Sequence, residues 1–239
     1  MRTIDVSLPG GRVAFSTRQG GMSEGPYESL NLGILTDDDQ ARVAENRDLL
    51  AADVGLDPER VAMGWQVHGA DLREWKDAPI GGGYASPGAA LEKVDGHVTS
   101  VPGLGLLVLV ADCLPVALVR PGRVAMLHCG WRPLAGGIIE RALAHFPDDA
   151  RPAAAIGPGI GRCCYEVGEE VLAEFAGLDG VADGRMLDLR LVARRKLEAA
   201  GVTHIEDVDL CTSCRPDLFF SHRRDNGVTG RQGGVAWLT

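Results

Sequence analysis

The spacing of apolar residues along the chain predicts many short strands and a few helices. Residues 12–17 (RVAFST) read as a strand running into Arg18-Gln19-Gly20-Gly21, where paired glycines mark a loop. From Asp37 onward three aspartates precede Val43, Leu49, Leu50 and Val54 at near-helical spacing, and Gly55 ends the run. Acidic residues at the start and glycine past the end fit a helix. Residues 61–68 and 96–100 read as strands, separated by a Gly-, Ala- and Pro-rich stretch (78–90) without periodicity, expected to be a surface loop. The run 104–110 (LGLLVLV) is apolar on both faces, as befits a strand buried between layers. Segments 116–119 and 124–127 continue that pattern, which places all three at the centre of the sheet. Helices are expected at 134–145, 168–176 and 187–200, then strands at 218–220 and 235–238.

Strands outnumber helices and do not alternate with them strictly, which favours a layered mixed-sheet α/β fold over a Rossmann fold or a TIM barrel. No G-x-G-x-x-G fingerprint follows a predicted strand. The chain has 239 residues and shows no internal repeat or linker, so residues 1–239 are expected to form a single catalytic domain. At this length a fold buries roughly 70–75% of its unfolded surface without needing disulfides.

The first ten residues, MRTIDVSLPG, lack the features of a signal peptide. The longest apolar stretch, 104–119, is interrupted by Asp112 and Pro115 and is shorter than the roughly 20 residues of a membrane helix. A cytoplasmic protein with no membrane partner is therefore expected, with its six cysteines reduced and used for packing, metal binding or reactivity. The net charge is −9, and basic residues are dispersed except at Arg194-Arg195-Lys196 and Arg223-Arg224. This argues against nucleic acid as a partner, yet suits a small anionic ligand held by one or two buried arginines. No pattern in the chain specifies an oligomeric state.

Three segments place a metal-competent side chain where a predicted strand ends: Gln66-Val67-His68-Gly69, Ala111-Asp112-Cys113-Leu114 and Leu127-His128-Cys129-Gly130-Trp131. A catalytic zinc commonly takes three ligands from His, Cys and carboxylates and leaves a fourth position open, and His68, Cys113 and His128 can make such a site. Taken singly, each has a plainer reading: a hydrogen-bonded strand-end histidine, or a small buried thiol. The constellation carries the argument.

Longer blocks of the sequence resemble the family known as multicopper polyphenol oxidases, laccase-domain proteins or purine nucleoside phosphorylases of the peptidoglycan-editing-factor group. They include FSTRQGGMSEGPYESLNLG (15–33), VAENR (43–47), WQVHGA (65–70), VDGHVT (94–99), ADCLPV (111–116), HCGWR (128–132), GPGIGRCCYEVG (157–168) and FFSHRRDNGVTGRQ (219–232). The resemblance implies metal binding by His68, Cys113 and His128. It also implies layered mixed sheets flanked by helices, an αββα sandwich shared with toxins that deamidate through a Cys-His pair. By the same resemblance the expected chemistry is phosphorolysis of adenosine, inosine and methylthioadenosine, with deamination of adenosine as a companion activity. Cys129, Pro133 and His222 depart from the family's usual alanine, glycine and tyrosine. Cys129 is expected to point away from His128 along a strand and to pack in the core.

Phosphorolysis needs fixed positive charge and convergent donors around phosphate. Arg18, Ser23 and Arg47 are the candidates, with a surface ion pair to Glu45 or Asp48 as the alternative role for Arg47. Zinc suits this chemistry as a Lewis acid, and copper is the second candidate cofactor. Deamination also needs an acid/base carboxylate, for which Asp112, beside Cys113, is the candidate; its alternative is a strand-end aspartate bonded to backbone amides. Cys163-Cys164 and Cys211-x-x-Cys214 are not expected to form a second zinc site, since adjacent cysteines are poor chelators. Arg223-Arg224 with Asp225 is a candidate to face the pocket, yet a solvated turn near Asn226-Gly227 is the simpler account. Competing functions are a copper-dependent polyphenol oxidase, weakened by the absence of His-x-His pairs, a metal-free Cys-His hydrolase with Cys113 as nucleophile, and a non-catalytic partner of the cell-wall machinery.

Overall fold

The structure is a computed structural model that describes residues 1–79, 83–84, 91–147 and 151–239. The chain opens with a hairpin of β1 (Thr3–Leu8) and β2 (Gly11–Ser16), and a long loop then leads to α1 (Gln40–Val54). Strands β3 (Val61–Ala62), β4 (Leu72–Trp75), β5 (Gly96–Thr99), β6 (Gly105–Val110), β7 (Leu114–Arg120) and β8 (Arg123–Cys129) follow. Helices α2 (Trp131–Ala135) and α3 (Ile138–Leu143) precede β9 (Ala153–Ile156) and α4 (Glu169–Ala173). A small hairpin of β10 (Ala182–Asp183) and β11 (Met186–Leu187), then α5 (Leu189–Ala199), β12 (Ile205–Asp207) and β13 (Gln232–Leu238), complete the chain.

Two mixed sheets result, one in the order β1-β2-β13-β6-β3 and the other β12-β9-β7-β8-β5-β4. The period-2 direction of strand side chains explains their stacking. On β7, Leu114, Val116 and Leu118 pack with Leu134, Ile138, Val192 and Leu197 of the helices, whereas Ala117 and Val119 pack with Phe15, Leu106 and Val108 of the other sheet. On the far side, Leu107, Val235 and Trp237 meet Leu50, Ala51 and Val54 of α1. The layers therefore run helix, sheet, sheet, helix, the expected αββα sandwich. Between the sheets Gly234 is required for close approach, because a Cβ there would lie 2.2 Å from Met126 Cε and 2.6 Å from Pro115 Cβ.

Local signals account for α1. The Asp39 carboxylate accepts from the amides of Ala41 and Arg42, and Gly55 ends the helix at φ 73°. Other expectations need correction. Segments 104–110, 116–119 and 124–127 do not share one sheet, because β6 lies in the first sheet while β7 and β8 lie in the second. Both sheets are covered on both faces, so their strands look alike in sequence. The strand expected over 61–68 stops at Ala62. The helix expected over 134–145 breaks at Gly136-Gly137, where Gly137 has φ 80°.

Residues 218–220 are not a strand. Phe219 and Phe220 are fully buried in a loop, and the Gln232 side chain substitutes for a neighbouring strand by accepting from the Phe220 amide (2.8 Å) and donating to its carbonyl (3.1 Å). Within the loop expected at 78–90, residues 80–82 and 85–90 lie outside the described residues. Among the described residues no helix is long and apolar enough to cross a membrane.

Candidate functional site

Cys113 sits in the turn that carries the chain from β6 in one sheet to β7 in the other, and His128 is the penultimate residue of β8. Parity decides where His128 points: Ala125, Leu127 and Cys129 face the helices, so Val124, Met126 and His128 face the space between the sheets. His68 arrives from the irregular segment after β3. The donor atoms of His68, Cys113 and His128 lie within 4.8 Å of one another. The two imidazole rings stand 4.8 Å apart at 70°.

Asp95, fully buried at the start of β5, organises two of the three. Its Oδ1 lies 2.7 Å from His128 Nδ1 and accepts from the His68 amide (3.0 Å), while Oδ2 accepts from the amides of Val67 (3.0 Å) and Gly69 (2.7 Å). Burial raises the Asp95 pKa, but the bonds from His128 and from these amides outweigh it and hold the carboxyl below its usual range. A carboxylate that accepts from Nδ1–H leaves the Nε2 lone pair of His128 free for a ligand. Gln66 fixes the same loop from the other side by exchanging two hydrogen bonds of 2.7 Å with the backbone of Leu109 on β6.

One residue of the cluster and one beside it hold positive φ without being glycine, His68 at 59° and Asp112 at 89°. Such backbone persists only where its surroundings fix it, here through Asp95 for His68. Gly130 provides room, since a Cβ there would lie 2.9 Å from Cys113 Sγ and 3.5 Å from His68 Cδ2. Burial disfavours charge on Cys113 and His128, yet each favours the charged form of the other. The thiol pKa falls and the imidazole pKa rises, with Asp95 adding to the latter. Two imidazoles, an acidified thiol and a carboxylate that sets a tautomer fit a soft-to-borderline divalent metal with three protein ligands.

The cluster opens onto a cavity of about 570 Å³. Its walls include Met63, Trp65, Leu109, Trp131, Ile160 and Tyr165, and its cations are Arg223 and Arg231. The Arg223 guanidinium lies 5.3 Å from the Tyr165 ring centre. Arg231 donates to the carbonyls of Thr229 and Gly230. Burial lowers its pKa, and the neighbouring Cys113 and Asp112 oppose that.

Arg18, Ser23 and Arg47 are not brought to this cavity. Arg18 donates to the carbonyls of Glu28 and Pro216 and packs over Phe220. Ser23 donates to Asp38 and accepts from Asn46. Arg47, 1% exposed, gives its guanidinium to the carbonyls of Leu32, Gly83 and Tyr84, and burial lowers its pKa to about 10. The alternative ion pair of Arg47 with Glu45 or Asp48 is not formed either; the residue ties backbone segments together.

Asp112 lies at the cavity, but Thr212 Oγ1 donates to its Oδ1 (2.6 Å) and the Arg223 amide to its Oδ2 (2.7 Å). Both oxygens are engaged in bracing the turn beside Cys113, close to the backbone-bonded role given as its alternative. Cys129 is buried in the helix-side core. Pro133 takes the third position of α2, whose amide has no partner inside the helix in any case.

Arg223 lies exposed in the turn at Asn226-Gly227, as the solvated-turn reading has it, and the same turn carries its side chain to the cavity. Asp95 and Arg231 escaped the sequence reading. Their signals were the single acid ahead of an apolar strand in VDGHVT and the lone cation of TGRQ. Cys163, Cys164, Cys211 and Cys214 converge within 4.8 Å of one another, against the spacing argument. Residues 162–164 form a turn, so adjacent side chains do not diverge as they do along a strand.

Residues 12–239 match the family described as multi-copper polyphenol oxidoreductase laccase. Purine nucleoside phosphorylase YlmD of Geobacillus stearothermophilus is 38% identical over 93% of this chain and 88% of its own. The purine nucleoside phosphorylase of Deinococcus radiodurans is 40% identical over 100% of this chain and 92% of its own. The crystal structure of YlmD from Geobacillus stearothermophilus superposes with a TM-score of 0.89 at 36% identity, covering 97% of this chain and 93% of that one.

Proposed function

The chain belongs to the multi-copper polyphenol oxidoreductase laccase family, and from that premise we propose that it is a zinc-dependent purine nucleoside phosphorylase acting on adenosine, inosine and methylthioadenosine. The observation that carries this reading is that the His68–Cys113–His128 cluster, two arginines and an aromatic wall open onto one cavity of about 570 Å³. That volume suits a ligand of nucleoside size.

Arg223 and Arg231 supply the fixed positive charge that phosphate needs, on the same wall as Asp112 and Cys113. Trp65, Leu109, Trp131 and Tyr165 offer apolar faces for a purine and exclude water from the glycosidic bond. His68, Cys113 and His128 would hold the zinc, and Asp95 keeps His128 in the tautomer that binds it. Zinc, when bound, supplies Lewis acidity toward a phosphate or ribose oxygen. Deamination of adenosine is the lesser activity in this reading, because Asp112, the carboxylate among the described cavity residues, has both oxygens engaged. Copper suits a His2Cys donor set as well, but the six histidines include no His-x-His pair from which to build a multinuclear oxidase centre.

Incubation of the purified protein with adenosine, with and without phosphate, tests the assignment by chromatography. Adenine formed only with phosphate is expected. Inosine as the product would make the protein a deaminase, and no product in either case would remove both activities.

One observation favours a second reading. Asp95, His128 and Cys113 form a carboxylate–imidazole–thiol chain, the arrangement of a Cys-His nucleophile oriented by a third group. A metal-free protein alkylated rapidly at Cys113 supports that hydrolase; zinc lost on Cys113→Ala supports the phosphorylase.

A further inference from the structure

Four of the six cysteines meet outside the cavity. Cys163 and Cys164 lie in the turn after β9, while Cys211 and Cys214 lie in the turn after β12, the parallel neighbour of β9. The two turns are joined by backbone. The Gly159 amide donates to Leu210 O (3.3 Å), and the Thr212 amide donates to Gly159 O (3.0 Å). Cys214 Sγ lies 3.5 Å from Cys163 Sγ and 3.4 Å from Cys164 Sγ, and all four sulfurs fall within 4.8 Å of one another. A tetrahedron of thiolates at about 2.3 Å from zinc has sulfur–sulfur edges of about 3.8 Å.

We propose that Cys163, Cys164, Cys211 and Cys214 form a second, structural zinc site that staples the two turns. Two further features fit a coordinated thiolate. The Gly161 amide donates to Cys211 Sγ (3.2 Å), the kind of outer-shell bond that orients a metal ligand. Gly161 also leaves the space, since a Cβ there would come within 3.2 Å of Cys211 Cβ and 3.3 Å of Cys163 Sγ. A disulfide would join one pair and leave the other two thiols facing it, whereas one ion engages all four. Each thiol loses its proton to solvent as its bond to zinc forms.

The position gives the site a purpose. The first turn carries Ile160 and Tyr165 into the cavity wall, and the second carries Thr212, whose hydroxyl holds Asp112. Closing these turns on a metal fixes one wall of the reaction cavity without taking part in the reaction. The inference does not depend on which reaction the cavity performs.

Metal analysis of protein purified under reducing conditions tests it, with Cys113→Ala used to separate the two sites. Wild-type protein is expected to hold about two zinc ions per chain, Cys113→Ala about one, and Cys113→Ala combined with Cys211→Ser and Cys214→Ser none. Should the triple variant fail to fold, cobalt loaded into Cys113→Ala reads the same site through its intense thiolate-to-metal charge-transfer absorption. A Cys113→Ala protein with no bound metal and four freely titrating thiols would overturn the proposal. So would a disulfide among these four residues in the protein as purified, or iron in place of zinc.

Discussion

Replacing Asp95 by asparagine removes a buried charge and turns one carboxylate oxygen into an NH2 group, and either orientation of the new amide is costly. With NH2 in the place of Oδ2, it faces the half-buried amides of Val67 and Gly69 and leaves both without their acceptor. At about 1 kcal/mol each, the low end for donors that keep some access to water, that is about 2 kcal/mol. The melting temperature should then fall by roughly 4–8 °C for a chain of this size. With NH2 in the place of Oδ1, it faces the His68 amide and His128 Nδ1. The imidazole must then accept at Nδ1 and carry its proton on Nε2, which removes the lone pair a metal needs. Metal affinity should fall about 10–100-fold, as for loss of other outer-shell carboxylates. Competition against a chromophoric chelator measures the affinity, and thermal unfolding of the same samples measures the stability. Unchanged values for both would refute the role given to Asp95.

Three other changes follow from the same geometry. His97 is fully buried, accepts from Trp75 Nε1 at its Nδ1, and has its pKa lowered by burial to about 4. Because the unfolded chain takes up this proton near pH 6.5 and the folded chain does not, stability is full above pH 6.5. It declines as pH falls toward 4, by roughly 3 kcal/mol in all. Denaturant unfolding of His97→Gln should lack that part of the pH slope, and an identical slope would contradict the assignment. Arg231→Met should raise the KM for phosphate by about 10–100-fold through loss of a charged hydrogen-bond donor, and should also lower the melting temperature because the carbonyls of Thr229 and Gly230 lose their donor; an unchanged KM would remove Arg231 from the phosphate site. Gly130→Ala drives a methyl group to 2.9 Å from Cys113 Sγ, so metal content should drop while far-ultraviolet circular dichroism stays the same; full metal occupancy would show that the thiol has room to move.

The convergence of His68, Cys113 and His128 was legible because the chemistry is local to each motif: an imidazole or thiol beside a glycine or an acid where an apolar run ends. A layered mixed-sheet fold was legible for a similar reason, since strands apolar on both faces require cover on both faces, whereas the αββα order came from the family resemblance. Assignment of β6 and β7 to different sheets was not legible, because the turn holding Asp112 and Cys113 crosses between layers without any change of pattern. That Arg18, Ser23 and Arg47 lie away from the cavity was not legible, because a Gly-rich loop with arginines looks alike whether its cations face a ligand or backbone carbonyls. Only the fold shows that Arg47 spends its donors on Leu32, Gly83 and Tyr84 while Arg223 and Arg231, nearly two hundred residues further on, reach the cavity. Convergence of the four outer cysteines was hidden in the same way, since it depends on β9 and β12 lying side by side.

Diffraction data collected on either side of the zinc absorption edge, from crystals of the protein as purified, test the primary centre most directly. An anomalous peak is expected at about 2.0–2.3 Å from a ring nitrogen of His68, Sγ of Cys113 and Nε2 of His128, with the fourth direction open to the cavity. No peak among these three residues, or a fourth protein side chain closing the coordination, would contradict an open catalytic metal site.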